Sequence, residues 1–92
     1  MIIKAGVVTG YTGTPVNVVI PEGVTSIGYG TFWDCYNLSS VEIPSSVTSI
    51  GVSAFEDCYK LSSIEIPSSV SSIGSSAFDG TAWLKEQQKK IL

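Results

Sequence analysis

The chain has 92 residues, of which 43% are hydrophobic and only 14% are charged, and its formal net charge at pH 7 is −3. A chain of this length makes one domain, and its apolar content suffices for a folded core and excludes a disordered chain. Nucleic acid is excluded as a partner, because phosphates are bound by basic surfaces and the sequence holds only five basic residues, all of them lysine.

The sequence also lacks the apolar segments that direct a chain to or across a membrane. No apolar run approaches the roughly 20 residues of a membrane span, and residues 1–10 lack the apolar stretch of a signal peptide. We therefore expect no membrane insertion. The sequence fits both a cytoplasmic protein and a part of a larger secreted protein.

Residues 1–14 are predicted to form an amino-terminal cap. Two apolar stretches flank a Lys-Ala-Gly turn, a pattern typical of a β-hairpin. We expect the second strand to lie antiparallel beside residues 16–20, where it would cover the open edge of a sheet.

Residues 15–83 repeat with a period of 23 residues. LSSVEIPSSVTSIGVSAFEDCYK (38–60) and LSSIEIPSSVSSIGSSAFDGTAW (61–83) agree at 15 of 23 positions, and PVNVVIPEGVTSIGYGTFWDCYN (15–37) matches the middle copy at 12 of 23. Such a period predicts stacked units that bury their apolar faces against one another. The fixed positions are Val18/Val41/Ile64, Ile20/Ile43/Ile66, Pro21/Pro44/Pro67, Val24/Val47/Val70, Ile27/Ile50/Ile73, Gly28/Gly51/Gly74 and Phe32/Phe55/Phe78.

Each repeat opens with a predicted strand that has one buried face. In the middle copy, Val41 and Ile43 alternate with Ser40 and Glu42, so the apolar pair faces the core and the polar pair faces solvent. Pro44 ends the strand because it has no N–H to donate to a neighbouring strand.

The second half of each repeat is predicted to be a short extended segment, V-T-S-I, followed by a helical turn, S-A-F-E-D-C. Gly51 is expected to take a positive φ between the two. The helical turn would place Ala54, Phe55 and Cys58 in the core, with the three equivalent phenylalanines forming one continuous buried column.

Residues 84–92 are predicted to form a helical cap. Thr81 is a suitable N-cap for the helix formers that follow, and lysines lie near the carboxyl terminus, where the helix dipole favours them. Trp83, Leu84 and Ile91 are expected to cover the last repeat. With both ends covered, residues 1–92 are expected to be one complete domain.

The pattern L-x-x-I-x-I-P-S-S-V-T-S-I-G-x-x-A-F-x-x-C resembles the BspA-like leucine-rich repeat of bacterial cell-surface proteins. The resemblance implies an α/β repeat fold, a leucine-rich-repeat solenoid of three units with parallel strands. It also implies a cell-surface or secreted setting and adhesion to host or neighbouring-cell proteins. Pro15 stands where the leading leucine is expected and Thr81 where the cysteine is, both in terminal copies, which commonly deviate.

Catalytic and metal-binding chemistry is not expected. The chain has no histidine, which excludes histidine-dependent nucleophilic schemes and histidine metal ligands, and we expect no cofactor. Glu42 and Glu65 fall one repeat apart, and we interpret them as exposed acids rather than as a catalytic pair or a weak cation site; the Asp34 and Asp57 pair has the same interpretation.

The two cysteines are expected to be free thiols. Cys35 and Cys58 fall one repeat apart, and an in-register ladder brings them within disulfide range at Cα. Parallel Cβ directions, however, hold the Cβ atoms farther apart than a bridge prefers. We therefore expect both to be reduced, buried and unreactive.

Two sets of residues are candidates for protein binding. One is the outward face of the predicted sheet, and the other is a pair of tyrosines one repeat apart, for which shielding of the phenylalanine column is the alternative role. The candidate binding residues are Asn17, Val19, Ser40, Glu42, Ser63 and Glu65 on the sheet, with Tyr36 and Tyr59.

Two functions fit this pattern. One is a non-enzymatic protein-interaction or adhesion module. The other is a structural spacer or capping unit that self-associates end to end in a larger surface assembly. We expect a monomer or weak self-association.

Overall fold

The computed structural model describes residues 1–91, with side chains described through residue 88. Within this range the chain forms eight short strands and one helix. Their bounds are β1 (Ile2–Lys4), β2 (Val7–Gly10), β3 (Asn17–Val19), β4 (Ser26–Ile27), β5 (Ser40–Glu42), β6 (Ser49–Ile50), β7 (Ser63–Ile64), β8 (Ser72–Ile73) and α1 (Ala82–Ile91).

Two parallel ladders run through the repeats. The first strand of each repeat joins a three-stranded sheet, β3-β5-β7, and the second joins a five-stranded sheet, β1-β2-β4-β6-β8. Partners such as Asn17 and Ser40, or Ser26 and Ser49, lie 23 residues apart, as the sequence period predicts. The division at 15–37, 38–60 and 61–83 stays a prediction, because ladder spacing does not define where a repeat begins.

The amino-terminal hairpin forms, but it joins the other sheet. Ala5 and Gly6 make its two-residue turn with φ values of 51° and 79°, as a tight hairpin requires. β2 then pairs parallel with β4, with Val8 opposite Ile27, so the prediction that it lies antiparallel beside residues 16–20 is wrong. The position follows from burial, because Val8 is fully buried there and its carbonyl accepts a 2.9 Å bond from the Thr31 hydroxyl.

A column of aromatic rings runs through the core, as predicted. The rings of Phe32, Phe55 and Phe78 are stacked, with centroids 5.2 and 5.3 Å apart and interplanar angles of 7° and 10°. Tyr11 lies over Phe32 at 5.7 Å and Trp83 over Phe78 at 4.8 Å. The two end segments therefore contribute one ring each to the column.

The segment after each second strand is a series of turns, so the predicted helical turn is wrong. Ser53 and Asp57 have φ values of 57° and 62°, which no right-handed helix accommodates. Alternate N–H groups donate to the next repeat instead, as from Phe55 to Ala77 O at 2.8 Å. The side-chain prediction still holds, because Ala54, Phe55 and Cys58 are fully buried.

Gly51 is also not a positive-φ residue, contrary to the prediction. It is required because neighbouring repeats approach closely at this point. A Cβ on Gly51 would lie 2.8 Å from the carbonyl carbon of Gly28 and from the amide nitrogen of Tyr29. Cβ atoms in proteins essentially never approach other atoms that closely.

The carboxyl-terminal helix is capped as predicted but covers only part of the last repeat. The Thr81 hydroxyl accepts a 3.1 Å bond from the N–H of Leu84, and Trp83 and Leu84 pack on the core. Ile73 remains 50% exposed, whereas Ile27 and Ile50 are each 1% exposed, so the expectation that both ends are covered holds only in part. The predicted role of Ile91 concerns a side chain that lies outside the described residues. Leu92 also lies outside them.

Candidate interaction surface

The three-stranded sheet buries one face and exposes the other. Val18, Val41 and Ile64 are 3%, 3% and 8% exposed, which assigns them to the core. The candidate residues point the other way, as the period-2 alternation of a strand requires. Ser40 is half-buried, and the exposed members are Asn17, Val19, Glu42, Ser63 and Glu65.

Serine hydroxyls form hydrogen bonds along the amino-terminal part of this face. The Ser40 hydroxyl donates to Asn17 Oδ1 at 2.6 Å, and the Ser39 hydroxyl shares its one proton between Val16 O at 3.2 Å and the same Asn17 oxygen at 3.4 Å. Because the Asn17 side-chain oxygen accepts hydrogen bonds from these serines, the side-chain nitrogen of Asn17 is the group that can donate to a partner.

The sheet face carries negative charge. Two shallow depressions share Glu42 and Ile43, one extending to Glu65 and the other to Glu22. Three glutamates and no lysine line them. Glu22 was not among the residues that the sequence pointed to, since it follows Pro21 and lies outside the strand that the alternation identifies.

The predicted tyrosine pair forms, but on a separate surface. Tyr36 and Tyr59 stack with centroids 5.6 Å apart and an interplanar angle of 11°, and each is about half exposed. Tyr36 lines a different hollow, which also contains Trp33 and Asn37. The Asp57 carboxylate, followed by desolvation, raises the pKa of Tyr59, so this surface is also in a negative field.

The cysteines are free, and their burial differs. Cys58 is fully buried, and its thiol donates to Phe32 O at 2.9 Å. Cys35 is only half-buried, so the expectation that both thiols are buried is wrong for Cys35. The difference arises because Cys58 has a repeat on either side, whereas Cys35 lines the hollow beside residues 13–15.

Among the described side chains, no group of three or more histidine, cysteine, aspartate or glutamate residues could hold a metal ion. Within residues 1–91, no helix has the length and apolar character that crossing a membrane requires.

The chain belongs to a known repeat family. The family model described as a BspA type leucine rich repeat region of six copies matches residues 11–89. The matched range begins after β1 and β2, and it includes β3 to β8 and all five rings of the aromatic column.

Solved bacterial structures share the fold. A leucine-rich repeat protein of T. pallidum is 37% identical with a TM-score of 0.75, over 80% of this chain and 37% of that chain. A leucine-rich cell surface protein of Faecalibacterium prausnitzii is 34% identical with a TM-score of 0.73, over 86% of this chain and 25% of that chain. A leucine-rich repeat protein of Bacteroides ovatus is 34% identical with a TM-score of 0.62, over 73% and 26%.

The chain therefore spans between 25% and 37% of the length of these structures. No curated protein matches it.

Proposed function

We propose that this protein is a non-enzymatic protein-interaction module of the adhesion type, which binds a partner through the outward face of β3-β5-β7. The observation that carries the proposal is the contrast between the two faces of β3. Val18 and Val41 are 3% exposed, whereas Val19, an apolar residue in the same strand as Val18, is 63% exposed. An exposed apolar side chain beside hydrogen-bonded polar ones supports the proposal because the buried centre of an interface is more apolar than its rim.

The setting that we propose is the cell surface or the secreted space, with a host or neighbouring-cell surface protein as the partner. Membership of the BspA-type family supports an interaction role. The similar F. prausnitzii structure is described as a cell surface protein, which supports the location.

The charge of the face favours a basic partner. Glu22, Glu42 and Glu65 line the two depressions without a compensating lysine. Opposite charge on the partner would increase the association rate and orient the encounter. Parallel strands lie about 4.8 Å apart, so three strands alone are too narrow for the roughly 800 Å² that each partner buries in a standard interface. The adjoining loops, including Pro21, Glu22 and Pro44, would complete it.

The proposal is tested with the double variant Glu42→Lys/Glu65→Lys. Both residues are exposed, so the free energy of unfolding should change by no more than about 0.5 kcal/mol. Association with a basic partner should slow by about tenfold or more, because the face changes from negative to positive. The measurement is surface plasmon resonance against a panel of purified basic and acidic extracellular proteins, at two salt concentrations.

Two controls locate the contact. Asp79→Lys reverses one exposed acid away from the sheet, and it is matched to the single variant Glu42→Lys. If both single variants slow binding equally, only net charge matters and the sheet face has no special role. A Tyr36→Ala/Tyr59→Ala variant tests the other surface. Loss of binding there, with normal binding by the double glutamate variant, would show that the sheet-face assignment is wrong.

A further inference from the structure

The last strand of the five-stranded sheet leaves an open hydrogen-bonding edge. Between the second and third repeats, Ser71 N–H donates to Thr48 O at 2.9 Å and Gly74 N–H donates to Ile50 O at 2.7 Å. The carbonyl oxygens of Ser71 and Ile73 occupy the same places one repeat later. No donor among the described backbone and side-chain groups reaches them, and β8 pairs only with β6.

Apolar side chains are exposed at the same edge. Ile73 is 50% exposed, although Ile50, in the same column, is 1% exposed. Val70 is half-buried where Val47 is fully buried. Helix α1 packs through Trp83 over Phe78 and leaves this side of the repeat uncovered. The edge therefore combines free carbonyls with exposed aliphatic surface.

The opposite edge of the sheet is protected, and this one is not. β1 has an irregular register between Ile2 and Ile3 and carries Lys4, and both features disfavour pairing of a further strand at an edge. Around β8, residues 66–78 contain no charged residue and no irregularity. One end of the sheet is thus open to a further strand.

We propose that two copies of this chain pair through their β8 edges, antiparallel about a two-fold axis. The uncharged edge lets two molecules of net charge −3 meet without like charges at the contact. Two-fold pairing places Ile73 of one copy beside Ile73 of the other and supplies donors to the free carbonyls. The contact is isologous, so it closes at a dimer, and the protected β1 edge prevents further growth.

The dimer is expected to be weak and reversible. The paired strand is short, and its contact surface is well below the roughly 800 Å² per partner of a stable complex. Concentration should therefore control the population of the dimer.

Sedimentation equilibrium over a concentration series tests the proposal with wild type, Ile73→Lys and Val19→Lys. The average mass of wild type should rise from that of a monomer toward that of a dimer and no further. Ile73→Lys should remain a monomer throughout, since the pairing would place two lysines side by side. Val19→Lys, at a site that is 63% exposed on the other sheet, should behave as wild type. Circular dichroism confirms that all three fold.

Three outcomes would overturn the proposal: a wild type that stays monomeric at every concentration, an Ile73→Lys variant that dimerises as wild type does, or a mass that grows beyond the dimer. The Glu42→Lys/Glu65→Lys variant should dimerise normally, because its face is separate from the β8 edge. The dimer and the proposed binding surface can therefore fail independently.

Discussion

At the scale of single residues, the spacing between repeats depends on a column of glycines, Gly28, Gly51 and Gly74. A Cβ on Gly74 would lie 2.7 Å from the carbonyl carbon of Gly51, just as one on Gly51 would lie 2.8 Å from that of Gly28. The neighbouring atoms are backbone, which cannot move away as a flexible side chain could. Any side chain in this column therefore separates the repeats.

Gly51→Ala should lower the free energy of unfolding by about 1–3 kcal/mol, the usual cost of overpacking. Gly10→Ala is the matched control, because its Cβ would make an ordinary 3.6 Å contact with Ile2 Cδ1. Alanine there should be neutral or slightly stabilising. Urea unfolding followed by circular dichroism measures both. Equal stability of the two variants would show that the repeats do not meet closely at Gly51.

The two cysteines should differ in reactivity. Burial, and after it interaction with Cys35, raises the pKa of the Cys58 thiol from the ordinary value of 9.0 to about 12. Burial, followed by the Asp34 carboxylate, also raises the pKa of Cys35. The folded state holds the Cys58 proton more tightly than the unfolded state does. The resulting stability is fully present below pH 9.0 and is lost as pH rises from there toward about 12.

Maleimide labelling followed by mass spectrometry tests this difference at pH 7.5. The native protein should take one label slowly, at Cys35, and a second only in denaturant. A Cys35→Ser variant should take no label until it unfolds. Fast labelling of that variant would show that Cys58 is accessible and that its burial does not hold in solution.

At the scale of elements, strands are predicted well from sequence, whereas their partners outside the repeat are not. Alternation identifies β5, where Val41 is buried while Glu42 is exposed; Ile43, predicted to be buried with Val41, lies just after the strand and is only half-buried. The Lys-Ala-Gly turn likewise predicts the β1–β2 hairpin. Which sheet the hairpin joins depends on how Val8 and Tyr11 fit the end of the core, and neither residue belongs to the repeated pattern. Tertiary packing alone decides that position.

The helical prediction for the turn segments is wrong, and the sequence contains a pattern that indicates why. Ser53 and Asp57 are left-handed, with φ values of 57° and 62°. Their equivalents in other repeats include Gly30 and Gly80, also at positive φ. Glycine alternating with serine or aspartate at one repeat position indicates left-handed backbone, because these residues tolerate it better than most.

The candidate surfaces were predictable to the extent that the repeat governs them. The step of 23 residues predicts the Tyr36–Tyr59 stack, and strand alternation predicts the exposure of Glu42. Neither the period nor the alternation predicts the position of Glu22, since it follows Pro21 and its equivalents are serines. They do not predict the open β8 edge either, because that edge depends on where helix α1 packs.

At the scale of the whole molecule, one column of five aromatic rings connects the amino-terminal hairpin to the carboxyl-terminal helix. Phe55 is its central ring, fully buried and stacked on Phe32 and Phe78 at 5.2 and 5.3 Å. A domain of this size has a free energy of unfolding of about 5–10 kcal/mol. The column joins the three repeats and both end segments through one continuous line of ring contacts.

Phe55→Ala should lower the free energy of unfolding by about 3–5 kcal/mol, because it removes two ring contacts and leaves a cavity that the rigid ladders on either side cannot close. That loss approaches the whole stability of the domain, so the variant should be largely molten, with exposed apolar surface that binds the dye ANS. Thermal unfolding followed by circular dichroism measures the change. Tyr59→Ala is the matched control: it removes one half-exposed ring from a stack of two, and its cost should stay within about 1 kcal/mol. A Phe55→Ala variant that melts within a few degrees of wild type would show that the column does not hold the repeats together.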